Sequence, residues 1–153
     1  MALLLVQHGK SLPREVDPEQ GLSDEGKTET WEIAFAARDH GVRIARIVQS
    51  GQKRAAQTAE IFASELRPRD GVHESAGLNP LDDVAAYAAN IPASEGLMLV
   101  GHLPFMERLA SFLITGSADR KVIRFQNSGI VCLENDEDAG HWTIRWTLFP
   151  NIG

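Results

Sequence analysis

Cysteine is almost missing from this chain. Cys132 is the single one in 153 residues, which excludes an internal disulfide and a cysteine-rich zinc site. Long apolar runs are missing too, since none approaches the ~18–20 residues that cross a bilayer. The apolar opening from Ala2 to Val6 is too short for a secretory core and has no basic flank. Positive charge is in deficit, with 15 Lys+Arg against 21 Asp+Glu and a formal net charge of −6 at pH 7. Such a chain has no surplus cations to displace counterions along a nucleic acid, so no nucleic-acid partner is expected. Linkers, internal repeats and low-complexity stretches are not found. The expectation is one domain over residues 1–153, soluble, cytoplasmic, off the membrane and monomeric. What is present suits a globular protein: 43% hydrophobic and 24% charged residues, too apolar for disorder and long enough to bury a core without staples.

Three dense apolar runs stand out: Leu3 to Val6, Ile44 to Val48 and Leu97 to Val100. Continuous rather than alternating hydrophobicity marks strands covered on both faces, as in a parallel sheet between helices. Helical spacing fills the intervals. Ser23 can cap a helix toward Asp39, with Trp31, Ala34 and Phe35 on one face and Gly41 as its stop. A second helix carries Ala55, Thr58, Ala59, Phe62 and Leu66 and is limited by Pro68. A third shows Val84, Tyr87, Ala88 and Ile91 and ends before Pro92. A fourth has Pro104 in its first turn, then Met106, Leu109, Ala110 and Leu113, and closes near Gly116. In the tail, Ile130 to Glu134 and Trp142 to Phe149 flank a polar turn, Asn135 to Gly140. Trp142, Ile144, Trp146 and Leu148 alternate with polar residues, which predicts a hairpin at a sheet edge with one side buried. The fold class is α/β, a three-layer sandwich whose mostly parallel central sheet ends in a C-terminal antiparallel hairpin.

Ligands of open α/β sheets bind beyond the carboxyl ends of the strands. Here the first strand runs into Gln7-His8-Gly9-Lys10-Ser11, the second into Ser50-Gly51-Gln52-Lys53-Arg54, and the third into Gly101-His102-Leu103-Pro104. Two histidines and an arginine thus converge from distant parts of the chain. A phosphoryl group wants positive charge and donors around its equatorial oxygens and a nucleophile in line with the leaving atom. Neutral imidazole attacks phosphorus well near neutral pH and can carry it covalently. Gly9 would let the phosphate approach the backbone. Arg54, opening the second helix, adds a forked donor beside the positive helix end.

These residues resemble the histidine phosphatase superfamily, the phosphoglycerate mutase-like proteins. Gln7-His8-Gly9 is similar to its Arg-His-Gly signature, and SGQKRAAQT from Ser50 to Thr58 to its S-x-x-x-R-A-x-Q-T stretch. Gly101-His102-Leu103-Pro104 is similar to its second-histidine motif, in the form seen in SixA-type phosphohistidine phosphatases. The likeness runs from Leu3 to about Phe149. It implies that His8 is the nucleophile, that Arg54 and His102 bind the phosphoryl oxygens, and that no metal or organic cofactor takes part. Gln7, Gly9, Ser50 and Lys10 are then the candidates for substrate binding. The implied partner is a protein carrying phosphohistidine, a histidine phosphotransfer domain of bacterial-type signalling.

Two positions depart from the family pattern. Gln7 stands where the family has arginine, so one amide donor replaces a charge. Hydrogen bonds with a charged partner are worth ~1.5–3 kcal/mol, and the loss amounts to roughly 10- to 150-fold in rate, offset in part by Arg54, His102 and a nearby Lys10 or Lys53. The stretch Gly77-Leu78-Asn79-Pro80 has no carboxylate where larger relatives hold a general acid, with Glu74, Asp82 and Asp83 as the nearby acids. Imidazole can leave without such an acid when its other ring nitrogen is already protonated, so an N-phosphoryl substrate is favoured over a sugar phosphate.

Other residues carry plainer expectations. Ser50 suits a helix cap as well as a ligand, and Gln57 and Thr58 suit packing and local hydrogen bonds. His40, His73 and His141 are solvated, and Cys132 is a small core residue. The acidic turn from Glu134 to Asp138 lacks the glycine and ligand spacing of a calcium loop. Leu12 to Leu22 borders the cleft. Two other functions stay open: a phosphatase or mutase for small O-phosphate esters, and a binding module for phosphate or phosphohistidine without efficient turnover.

Overall fold

The computed structural model describes residues 2–92, 96–136 and 141–152. The strands are β1 (Ala2–Gln7), β2 (Arg46–Gln49), β3 (Val72–Glu74), β4 (Leu97–Gly101), β5 (Ile130–Asp136) and β6 (His141–Leu148), and the helices are α1 (Asp24–Asp39), α2 (Lys53–Leu66), α3 (Val84–Ala89) and α4 (Phe105–Thr115). The strands form one sheet in the order β3-β2-β4-β1-β5-β6. Pairing is parallel from β3 through β1 and antiparallel for β1–β5 and β5–β6. The expected α/β architecture is therefore present, parallel at the centre with an antiparallel terminal pair.

Continuous apolar strands are explained by a core on each face. Leu4, Val6, Ile47, Met98 and Val100 meet Ile33, Ala37, Ala59 and Phe62 of α1 and α2. Their neighbours Leu3, Leu5, Leu97 and Leu99 meet Val84, Phe105, Met106 and Leu109 of α3 and α4. Cys132 is a free thiol inside the first of these cores, and burial pushes its pKa up to about 11. It is a core residue.

The helix starts follow their caps. Ser23 accepts a hydrogen bond from the Gly26 N–H, and Asp24 and Glu25 sit in the positive first turn of α1. Gly41 follows the end of α1 with φ of 77°, a conformation that costs glycine nothing. Asp83 caps α3 through the N–H groups of Ala85 and Ala86.

Several details differ from the sequence reading. Phe35 is exposed; it stacks on Trp31 under the Arg38 guanidinium, while Thr30, Ile33, Ala34 and Ala37 form the buried stripe of α1. The helix α3 stops at Ala89, although Ile91 still packs on the core. Pro104 precedes α4 after a cis peptide bond instead of occupying its first turn. β3 was not expected, because Val72 is its one apolar residue and His73 and Glu74 are exposed. The hairpin is not one-sided. Cys132 pairs with Trp146 but Leu133 with Ile144, so Arg145 is one residue extra. This bulge sends Trp146 and Leu148 toward the α1–α2 core and Trp142 toward the α3–α4 core, and it leaves Ile144 40% exposed. Residues 137–140 of the expected turn lie outside the described residues.

Candidate active site

Register brings the two histidines together. β1 and β4 run parallel with Gln7 opposite Gly101, and the His8 N–H donates to the Gly101 carbonyl at 3.0 Å. The next residues, His8 and His102, therefore leave neighbouring strand ends side by side, with ring centroids 5.0 Å apart and planes 52° to one another. β2 ends one strand further on and delivers Ser50, whose Oγ lies 2.6 Å from His102 Nε2. α2 then starts and presents Arg54, whose Nε–H donates to His8 Nε2 at 3.3 Å.

The proton on His8 can be assigned from its partners. Nδ1 lies 2.7 Å from the Gly9 carbonyl oxygen, which only accepts, so Nδ1 carries the hydrogen. Nε2 keeps its lone pair and accepts from Arg54. Burial holds the His8 pKa below the ordinary value, aided by the Arg54 charge and opposed by the bond to Gly9. Burial pushes His102 down to about 3, with His8 and Arg54 acting in the same direction. Both rings are therefore neutral at pH 7. His102 Nδ1 is buried with no hydrogen-bond partner. Among the described residues, no carboxylate bonds either ring and Arg54 enters no ion pair.

The remaining candidates are placed differently. Gln7 turns to the other face of β1 and lines a cavity of about 320 Å³ with Lys10, Glu29, Leu103 and Phe125. Its Oε1 is buried there without a donor. The Lys10 ammonium pairs with Glu25 at 2.8 Å and Glu29 at 3.4 Å, and Lys53 pairs with Asp17 at 2.9 Å, so neither is a free cation for the histidine pair. Gly9 does not open the backbone to an anion. A Cβ there would come within 2.8 Å of Thr30 Oγ1 and 3.0 Å of Ser128 Oγ, and the Gly9 N–H already donates to Thr58 Oγ1. Its role is close packing of the loop on α1 and α2. Gln52, not Ser50, precedes α2 as its cap residue, and Ser50 bonds His102 instead.

Buried Thr58 donates locally to the Arg54 carbonyl at 2.8 Å, as expected, and also accepts from the Gly9 N–H, while Gln57 Oε1 accepts from the Leu22 N–H across the chain. Two contributors escaped the sequence reading. Asn127 donates to the His8 carbonyl at 2.8 Å from 119 residues away, and nothing in its neighbourhood signals that contact. Arg14 shares a cavity of about 550 Å³ with Arg54. Its position in a Pro- and charge-rich loop was the sole hint. The three acids of the 74–83 stretch are not on the rings: Asp83 caps α3, Asp82 accepts from the Asn79 N–H, and Glu74 packs against Gly51. A cavity of about 680 Å³ between β3 and α3 is lined by neither His8 nor His102. A neutral nucleophilic nitrogen beside a guanidinium and a second imidazole can receive a tetrahedral oxyanion and attack its central atom.

No family model matches the chain. An uncharacterized protein of Picosynechococcus sp. is 31% identical over 144 residues, which are 88% of this chain and 86% of that protein. The structure of the protein histidine phosphatase SixA complexed with tungstate superposes with a TM-score of 0.86 at 26% identity, over 98% of this chain and 97% of that one. A candidate phosphohistidine phosphatase SixA of Agrobacterium tumefaciens follows at a TM-score of 0.74 and 23% identity, over 96% of each chain.

Proposed function

The chain belongs to the histidine phosphatase superfamily as a SixA-type member, and we propose that it hydrolyses phosphohistidine on a protein through a transient phosphoryl group on His8. The observation that carries this reading is the His8 Nε2 lone pair, held by the Nδ1–H bond to Gly9 and facing Arg54 in a site where, among the described residues, no carboxylate bonds either ring. Tungstate, the tetrahedral oxyanion in the similar SixA complex, has the shape such a site would accept.

In the first step the Nε2 lone pair of His8 forms a bond to phosphorus while the substrate P–N bond breaks, and its electron pair returns to the departing ring. That ring leaves as neutral imidazole because its other nitrogen already carries a proton. Arg54 turns its N–H donors to the phosphoryl oxygens, and His102, with an unpartnered Nδ1, is the second donor. If the Ser50 hydroxyl donates to Nε2, the hydrogen of His102 sits on Nδ1, on the side away from Ser50. Water then attacks the phosphorus of phospho-His8 and the His8–phosphorus bond breaks, giving inorganic phosphate and the free ring. A protein bearing phosphohistidine, such as a histidine phosphotransfer domain, is the partner this chemistry fits.

An alkyl phosphate makes a different demand, because its alkoxide must be protonated as it leaves. Of the nearby acids, Asp82 and Asp83 already accept backbone N–H groups, and Glu74 beside Gly51 is the remaining candidate. The test is phosphate release from a phosphohistidine peptide, with an alkyl phosphate in parallel. We expect turnover of the peptide that falls by roughly 10³-fold or more in a folded His8→Ala variant. Equal rates in the variant sink the mechanism. Faster turnover of the alkyl phosphate, dependent on Glu74, favours the ester reading. Tungstate binding without turnover favours a binding module.

A further inference from the structure

We propose that Arg14 is a second guanidinium ligand, beside Arg54, for the anion held at His8. The inference deepens the phosphatase reading and rests on it for the identity of the anion.

It begins from the loop that joins β1 to α1, which is fixed in place. The Leu12 N–H donates to the Gly21 carbonyl, and Ser11 bridges to Leu22. The Asp17 carboxylate accepts from the N–H groups of Gly21 and Glu19 and from the Lys53 ammonium, which together hold its pKa down to about 2. Gln57 of α2 takes the Leu22 N–H. The loop is thus tied to α2 from both of its arms.

That attachment decides which cations stay free. Lys53 is matched by Asp17 at 2.9 Å and Glu19 at 3.7 Å. Arg14 bonds the neutral Gln20 Oε1 through Nε at 3.2 Å, which leaves its two terminal nitrogens unused. Arg54 donates to a neutral ring. Arg14 and Arg54 therefore line one cavity of about 550 Å³, neither in an ion pair among the described residues. Their mutual repulsion registers on Arg54, whose pKa is lowered by burial and then by the Arg14 charge.

Glu19 and Lys53 line the same cavity and pair with each other at 3.7 Å, so among the described residues no carboxylate is paired with either arginine, and the two like charges gain from an anion placed between them. Arg54 is the shared wall, in contact with His8 on one side and with the Arg14 cavity on the other. Gln7, by contrast, lines the cavity that holds Glu29 and does not line this one.

The experiment is calorimetric titration of tungstate into the natural chain, Arg14→Ala, Gln7→Arg and the double variant. Arg14 is exposed, so its removal leaves the core intact, and circular dichroism confirms the fold. Arg14→Ala is expected to weaken tungstate binding by roughly 10- to 100-fold. Gln7→Arg is expected to leave tungstate affinity within about two-fold in both backgrounds, because a side chain at position 7 faces Glu29 and Lys10 and not the Arg14 cavity. Tungstate affinity in Arg14→Ala within about two-fold of the natural chain overturns the inference. The two readings separate cleanly. A natural chain that releases no phosphate from the phosphohistidine peptide while Arg14→Ala weakens tungstate defeats the phosphatase reading and leaves the Arg14 site standing. Turnover with no Arg14 effect defeats the Arg14 site alone.

Discussion

The two faces at the end of β1 hold their charges in opposite ways. On the face of Gln7, the Lys10 ammonium meets Glu25 and Glu29, and Asn151 donates to Glu29 as well. On the face of His8, Arg54 and Arg14 share a cavity whose lining carboxylate, Glu19, pairs with Lys53 and, among the described residues, with neither arginine, and two neutral imidazoles complete the group. One residue of strand pleat separates these regions, since successive side chains leave opposite faces. A matched pair has no use for a further ion, whereas unmatched cations in a partly buried site gain most when an anion arrives. The comparison favours the His8 face for the proposed anion, and it gives a physical meaning to the neutral residue at position 7: a side chain there points toward Glu29 and Lys10.

Removing Arg54 is the strongest way to break this contrast. Arg54→Ala takes away the donor to His8 Nε2 and the guanidinium nearest the nucleophile. A loss of ~10²–10³-fold in kcat/KM for the phosphohistidine peptide is expected, the range seen when one donor to a developing charge is lost. Steady-state kinetics with the folded variant check it. A loss below ten-fold would mean that the unmatched face is not where the anion is held.

The part of this contrast legible in sequence is the part set by strand ends. An apolar run followed by Gln7-His8, and another followed by Gly101-His102, place both rings at the carboxyl edge before any packing is known. Parallel register then fixes them as neighbours. What could not be read depends on side chains meeting across long loops of chain. Thr58 reaches the Gly9 N–H over 49 residues and Asn127 the His8 carbonyl over 119, and no local spacing encodes either. Arg14 and Lys53 carry the same charge in the sequence. They differ because Asp17 reaches one of them. The same limit applies to the hairpin, where alternation of Trp142, Ile144, Trp146 and Leu148 predicts a single buried side. The extra residue in the register, Arg145, is visible only against its partner strand.

A second, smaller effect follows from the low pKa values on the His8 face. An unfolded chain protonates both histidines near the ordinary value of 6.5, while the folded protein keeps His102 neutral down to about 3 and holds His8 below the ordinary value. Below pH 6.5 the unfolded state therefore binds more protons, and stability falls as the pH drops. The urea midpoint should be lower at pH 5 than at pH 7, and the difference should shrink in His102→Gln. At pH 5 the test is free of Asp17, whose lowered pKa of about 2 costs stability only as pH falls toward and below its ordinary 3.8. An identical pH response in His102→Gln would show that this imidazole is not held neutral by its surroundings.

The smallest effect is expected on the matched face. Lys10 is held by Glu25 and Glu29, with its pKa raised first by the Glu25 hydrogen bond, and its side chain is 39% exposed. An exposed ion pair of this kind adds little, because two long side chains must be ordered and solvent screens them. Lys10→Ala should leave kcat/KM and tungstate affinity within about two-fold of the natural chain. This variant sharpens the comparison because it removes the same formal charge as Arg54→Ala, at a position two residues along the chain from the nucleophile. If charge near His8 acted without regard to its partners, the two variants would lose activity alike. If counter-ions decide, as the two faces imply, Arg54→Ala is crippled and Lys10→Ala is not. A ten-fold loss in Lys10→Ala would mean that its ammonium leaves Glu25 for the substrate, and the division between the faces would fail.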